Sequence, residues 1–269
     1  MFTLLTYCTS IYSDLNKGVF MTDNIYVSYN GSQLGFSIRN FALEQKGYCG
    51  TGIDANSIAA GLNEDVYLTS NNHIYHYNIN GELIKDMCFP DSNITYTGVV
   101  VKGDKVYATY DGSQRGVTIR DLNLNQVSYI DTGVHATGIA AGSNDDLYIT
   151  AANHVYHYKT DGTLLKDMCF PDTGINYTDV SVFANTVYIS YMGSQQGVSI
   201  RSLELEQLSW MGTNFNINAI AAAPDNSVYL TSANHVYHYK LDGTLVKDMA
   251  FPSNSINYTG ISMVFSVTT

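Results

Sequence analysis

"TGIAAGSNDDLYITAANHVYHYKTDGTLL", residues 137–165, decides the fold. Its β-rich runs are short, and "GSNDD", "AANH" and "DG" cut them before any amphipathic helix could develop. Asp161-Gly162 lies between two such runs, with Asn80-Gly81 and Asp242-Gly243 at the corresponding places elsewhere in the chain. Asp-Gly or Asn-Gly between strands signals a tight hairpin, here expected as a type I′ turn with positive φ at both central residues. The stretch therefore predicts four short antiparallel strands in one sheet.

The pattern recurs. "GSQ" begins at Gly31, Gly112 and Gly193, "KDM" at Lys85, Lys166 and Lys247, and "HIYHY" or "HVYHY" at His73, His154 and His235, always 81 residues apart. An apolar residue followed by Tyr marks a finer half-step, at Tyr26, Tyr67, Tyr107, Tyr148, Tyr188 and Tyr229. A unit of about 40 residues built from four strands is the signature of a propeller blade. Strands apolar on both faces fit a radial ring, in which each sheet packs between two neighbours. Small residues in "IAAG" and "IAAA", starting at Ile58, Ile139 and Ile220, suit the crowded inner position, and Tyr fills the wider gaps further out. The expected fold is all-β: a six-bladed propeller of four-stranded antiparallel blades, made of three two-blade repeats, with residues 1–269 as one domain. Residues left over at both ends, "TLLTYC" and "YTGISMVFSV", are expected to close the ring by pairing across the seam. Seven blades, one assembled from both termini, is the alternative.

The stretch at 138–165 also resembles the NHL-type propeller repeat, which runs Gly-Ile-Ala, turn, apolar-Tyr strand, Asn-His, strand, Asp-Gly. The resemblance covers the three even blades, through Asn72-His73, Asn153-His154 and Asn234-His235. Odd blades carry "GSQ" loops where Asn-His would stand.

A net charge of −11 argues against nucleic-acid partners, which are held through phosphate-neutralising Lys and Arg. No run of 18 apolar residues predicts membrane insertion, and "MFTLLTYCTSIYS" lacks the charged start of a cleaved signal peptide. Cys8, Cys49, Cys88 and Cys169 are expected to be free thiols. Cys88 and Cys169 share a repeat position with Ala250, which predicts a small buried apolar site, and equivalent positions stand too far apart for a disulfide.

His-x-x-His pairs, His73/His76, His154/His157 and His235/His238, suggest metal binding by spacing alone. On a strand, residues three apart point to opposite sides, and no third ligand recurs, so no metal and no cofactor is expected. The first His of each pair is predicted to cap a loop and the second to hydrogen-bond between blades. Arg39, Arg120 and Arg201 are predicted to pair across blades with Asp86, Asp167 and Asp248.

The "GSQ" loops join the second and third strands of odd blades, on the rim that also carries the blade-to-blade links. Loops on a rigid scaffold collect binding residues. Ser32, Gln33, Ser113, Gln114, Ser194 and Gln195 offer donors and acceptors for a neutral polar ligand. Tyr96, Tyr177 and Tyr258, in links that carry Asn-x-Thr sequons at Asn93, Asn176 and Asn257, add flat apolar faces suited to sugars. No nucleophile elbow or phosphate loop is present. Asp54, Asp91, Asp172 and Asp179 are the loop acids available to a metal-dependent hydrolase or lactonase-like propeller. The sequence favours a non-enzymatic, multivalent binding propeller whose partner is a glycan or a protein surface, with a structural scaffold or interaction ring as a further alternative.

Overall fold

The computed structural model describes residues 24–264, apart from positions 62, 144, 252 and 254. Those residues form six four-stranded antiparallel sheets arranged as a propeller. Blade 3 runs Ile94–Lys102, Lys105–Gly112, Gly116–Asp121 and Gln126–Asp131 from the inner to the outer strand. Blade 4 follows as Gly138–Ala141, Leu147–Ala151, His154–Tyr158 and Leu164–Cys169. Blades 5 and 6 repeat this pair 81 residues later, and blade 2 precedes it. The innermost strands touch one another in ring order, so the circle is closed.

Closure uses the end of the chain. Ile256–Val264 supplies the inner strand of blade 1, antiparallel to Asn24–Gly31 with Val27 opposite Ile261. The other leftover segment, "TLLTYC", lies outside the described residues. Six sheets account for all the described strands, so the seven-blade alternative is not adopted.

Each interface between blades is an apolar cluster fed from both sides. Between blades 4 and 5, Ala140, Tyr148 and Val155 meet Ile175, Tyr177, Val180, Ile189 and Leu205. Tyrosine also joins the blades by hydrogen bonds. Tyr67, Tyr148 and Tyr229 donate from even blades to the backbone carbonyls of Leu122, Leu203 and Phe41 at 2.7–2.9 Å. A ring that fills the gap and ends in a donor explains why these second strands use Tyr where Phe would leave the carbonyl unpaired.

The third-to-fourth turns correct one expectation. Gly81, Gly162 and Gly243 have positive φ, but Asn80, Asp161 and Asp242 do not. With Gly81 N–H donating to Asn78 O and a bulge at Tyr77, these are three-residue loops of a type I turn plus a glycine bulge. At the same place in odd blades, Leu43, Leu124 and Leu205 take φ near +60°. A buried leucine there trades about 1–2 kcal/mol of left-handed strain for core packing at 1–2% exposure.

Arg39, Arg120 and Arg201 clamp those strained turns, donating to the carbonyls of Leu43, Leu124 and Leu205 at 2.8–2.9 Å. The predicted pairing of these arginines with Asp86, Asp167 and Asp248 is therefore wrong. The carboxylates instead contact Nδ1 of His73, His154 and His235 at 2.6 Å, within their own blades. Cross-strand register explains it, because Asp86 stands opposite Tyr75 and reaches diagonally to His73 on the same face.

Candidate functional site at the axial mouth

The three "GSQ" loops lie on the rim that carries the blade-to-blade links. Backbone N–H groups of Ser32, Ser113 and Ser194 donate to Ser255, Asn93 and Gly174 in those links. Gly31, Gly112 and Gly193 adopt φ of +109° to +128°, and a Cβ on any of them would overlap the link carbonyl. The glycine is thus fixed by close approach of two backbones. The residues after it are exposed. Ser194 Oγ donates to Asp172 at 2.6 Å and Ser113 does the same to Asp91. These bonds hold both carboxyls below the usual range. In the third sector Ser253 replaces the aspartate. Gln33, Gln114 and Gln195 make no side-chain hydrogen bond among the described residues and are presented to solvent.

Tyr96, Tyr177 and Tyr258 are elsewhere. Each ring is buried, at 0–1% exposure, against Phe89, Phe170 or the Tyr29 ring. Burial pushes Tyr96 and Tyr177 up to about 12, an effect that the nearby Arg120 and Arg201 charges only partly offset. The reason is strand alternation: these residues open the inner strands, and every second side chain there points into the blade interface. What they bring to the rim is backbone. Asn56 Nδ2, Thr137 Oγ1 and Asn218 Nδ2 donate to the carbonyls of Tyr96, Tyr177 and Tyr258 at 2.8–3.0 Å.

Those donors line a cavity of about 890 Å³ at the mouth of the axis, together with Asn30, Asn176 and Asn257. Asn30 directly precedes the "GSQ" glycine Gly31, so the cavity opens amid the loops. No charged side chain is among its lining residues. Its wall is uncharged: amides and hydroxyls that offer both donors and acceptors alternate with apolar Ala152, Met192, Ile217 and Ala233. The sequence signal for it is the Asn or Thr two positions before each "IAA", at Asn56, Thr137 and Asn218.

One ionisable group lies just below. Asp179 follows Thr178, a lining residue, on the inner strand Ile175–Phe183 of blade 5. Its Oδ2 accepts from the backbone N–H of Ile220 in blade 6 at 3.0 Å. Asp179 keeps some accessible surface although it sits at the centre of the ring; on an innermost strand, water arrives only along the axis. Burial pushes its carboxyl up to about 7, against weaker opposing bonds from the N–H groups of Ile220 and Val180.

The other acids are dispersed. Asp54 accepts from Asn30 at 2.9 Å, and Asp111 holds both Arg115 and His135. Among the described residues no group of three or more His, Cys, Asp or Glu is arranged to hold a metal ion. The second histidines do not bridge blades as predicted. His76 and His157 contact Asp65 and Asp146 through Nε2, and His238 contacts Ser227, each inside its own blade. Each stacks on its blade's Tyr67, Tyr148 or Tyr229 at 4.2–4.5 Å between ring centroids. The first histidines stack on Tyr75, Tyr156 and Tyr237 and are paired with aspartate as described above, so they do not serve as loop caps.

Cys49, Cys88 and Cys169 are free thiols, and Cys8 lies outside the described residues. Cys88 and Cys169 are exposed, which corrects the expectation of a buried site: they end the outer strands, where one side faces solvent. Each accepts from the preceding turn's Asn72 or Asn153 at 3.2 Å. In a Cys8→Ser chain, a maleimide should label two thiols in the native state and three after unfolding. Replacing Cys88 and Cys169 by alanine, the residue already at 250, should change stability by no more than about 0.5 kcal/mol each. Native labelling of Cys49, or a larger loss, would contradict this placement.

No family model and no curated protein matches the chain. Among solved structures, a protein of unknown function from Bacteroides caccae superposes with a TM-score of 0.71 at 11% identity, covering 90% of this chain and 99% of that one. At that identity the likeness shows the fold alone. With 1158 solved chains matching, the architecture by itself singles out no activity. Among the described residues no helix is long and apolar enough to cross a membrane.

Proposed function

We propose that this propeller is a non-enzymatic, multivalent binding module that recognises a neutral glycan through its "GSQ" rim. The observation that carries the proposal is the triple presentation of Gln33, Gln114 and Gln195, unpaired and exposed, around a mouth lined only by uncharged groups. Amides are two-way hydrogen-bonding groups matched to sugar hydroxyls, and three weak contacts on one rigid ring gain avidity without any new interaction. Sugar stacking on Tyr96, Tyr177 or Tyr258 is no longer part of the reading, since those rings are in the core. The even blades are proposed as NHL-like repeats on the strength of their Gly-Ile-Ala, Asn-His and Asp-Gly pattern.

A protein surface is the second reading, favoured by the apolar perimeter. Tyr129 and Trp210 occupy equivalent places on outer strands at 66% and 67% exposure, flanked by Val127 and Leu208. A glycan array separates the two. The wild-type chain should retain glycans, and the triple variant Gln33→Ala, Gln114→Ala, Gln195→Ala should lose at least tenfold in signal with an unchanged melting temperature. Retention of full signal by the triple variant, or no glycan bound at all, would remove the rim from the proposal.

A further inference from the structure

Asp179 breaks the threefold symmetry of the ring, and the sequence around it has adjusted. Its equivalents are Gly98 and Gly260, where a Cβ would approach Ile139 N at 3.4 Å and Ile58 N at 3.0 Å. The strand on the other side of each position carries Ser57, Gly138 or Ala219. Hence Ser57 neighbours Gly98, Ala219 neighbours Gly260, and Gly138 neighbours Asp179. Each contact holds one glycine and one side chain, and only in this sector has the glycine changed sides. A Cβ on Gly138 would stand 2.8 Å from Asp179 Cα and would overlap its carboxylate. Space for Asp179 is therefore built into the opposite strand, where simple divergence of one residue would have left a clash.

Among the described residues no cation pairs with the carboxyl so accommodated. Strands Gly138–Ala141 and Ala219–Ala223 carry no ionisable side chain. Leu147–Ala151 brings Tyr148, and Thr186–Gly193 brings Tyr188 and Tyr191. His154–Tyr158 adds Tyr156 and Tyr158, and its His154 and His157 are occupied by Asp167 and Asp146. Among the described residues, the Ile220 and Val180 N–H groups alone support the charge. A carboxylate enclosed without a counter-charge is costly, and such a group beside a cleft marks a candidate functional site.

We infer that the axial cavity is a second binding site, distinct from the rim, which takes one small polyhydroxylated ligand bearing a cationic amine. Its hydroxyls meet the Asn and Thr lining, and its ammonium is held by Asp179. The three residues that set the carboxylate, Gly138, Asp179 and Ile220, lie one or two positions deeper than the lining residues Thr137, Thr178 and Asn218 on adjacent strands. A ligand filling the mouth thus reaches it from above. The broken symmetry limits occupancy to one.

The test uses N-methylglucamine, a cationic polyol, with sorbitol as its neutral control, in calorimetric titrations of the intact chain. One N-methylglucamine should bind per chain, about thirtyfold tighter at pH 8.5 than at pH 5.5, following ionisation of a group that titrates near 7. Sorbitol should bind at least tenfold more weakly. Asp179→Asn and Asp179→Gly should both lose the pH dependence. Carbon-13 detection of the aspartate carboxyls should show one titration midpoint lowered by a unit or more on binding. Absence of binding at pH 8.5, a stoichiometry of three, or undiminished binding by both variants would overturn the inference.

Discussion

Asp179→Gly should raise the thermal midpoint at pH 8 relative to its effect at pH 4. The folded-state carboxyl titrates near 7 against an ordinary value of 3.8. The folded chain therefore holds this proton more tightly than the unfolded chain does. Such a group contributes stability that is fully present below about pH 4 and is lost as pH rises through 7. At pH 8 the ionised side chain disfavours the fold by an amount on the order of 4 kcal/mol as an upper bound, reduced by water in the axial channel. For a ring of this size that corresponds to a gain of about 5–10 °C in the variant at pH 8. Loss of the bond to Ile220 N–H subtracts little, because Ile58 and Ile139 already face glycines in the other two sectors. Melting curves from pH 4 to pH 8, with Asp179→Asn in parallel, measure the effect. Equal shifts at both ends of the range would show that the carboxyl is not titrating in the interior.

Removal of residues 256–269 should abolish the cooperative fold. Ile256, Tyr258, Ile261 and Val264 are all buried in the seam. At about 1.5–3 kcal/mol per buried side chain they account for roughly 6–12 kcal/mol, as much as a typical domain's whole margin of about 5–15 kcal/mol. Their loss also uncovers Ile25, Val27 and Tyr29 along an unpaired edge, a template for aggregation. A synthetic peptide of residues 255–264 added to the truncated chain should restore native-like melting, since it re-forms the same antiparallel ladder. A truncated chain that stays monomeric and melts like the parent would mean that the ring is held closed by something other than this strand.

Much of the architecture was legible because it is repetitive and local. Three copies of one 81-residue text mark the strand boundaries, and runs apolar on both faces require a neighbour on each side. The side-chain partnerships were not legible. Asp86 and His73 are 13 residues apart in the chain, yet they meet because of the register between the third and fourth strands, which a bulge at His76/Tyr77 shifts. Arg39 was read as needing an acid, but the carbonyl of a left-handed leucine serves it, and nothing in "LEQ" announces that conformation. Tyr96 was placed at the rim from its position in a link; the alternation of a strand that begins two residues earlier turns its ring inward.

The sequence by itself determined the propeller class, the four-stranded blade and the rim on which the "GSQ" loops stand, because these follow from spacing and from the need of each sheet to bury two faces, whereas the choice of six blades over seven came with the pairing of Ile256–Val264 across the seam. Only the tertiary structure decided which polar groups remain available. Closing the ring brings together residues about 40 positions apart, Asn56 with Tyr96 and Asp179 with Ile220, and their pairing depends on distances across the axis that no local pattern encodes. Asp179 shows the division most clearly. As a letter it is one substitution among three near-identical repeats, and as a group it is an uncompensated acid inside a neutral channel, with a glycine on the facing strand that makes room for it.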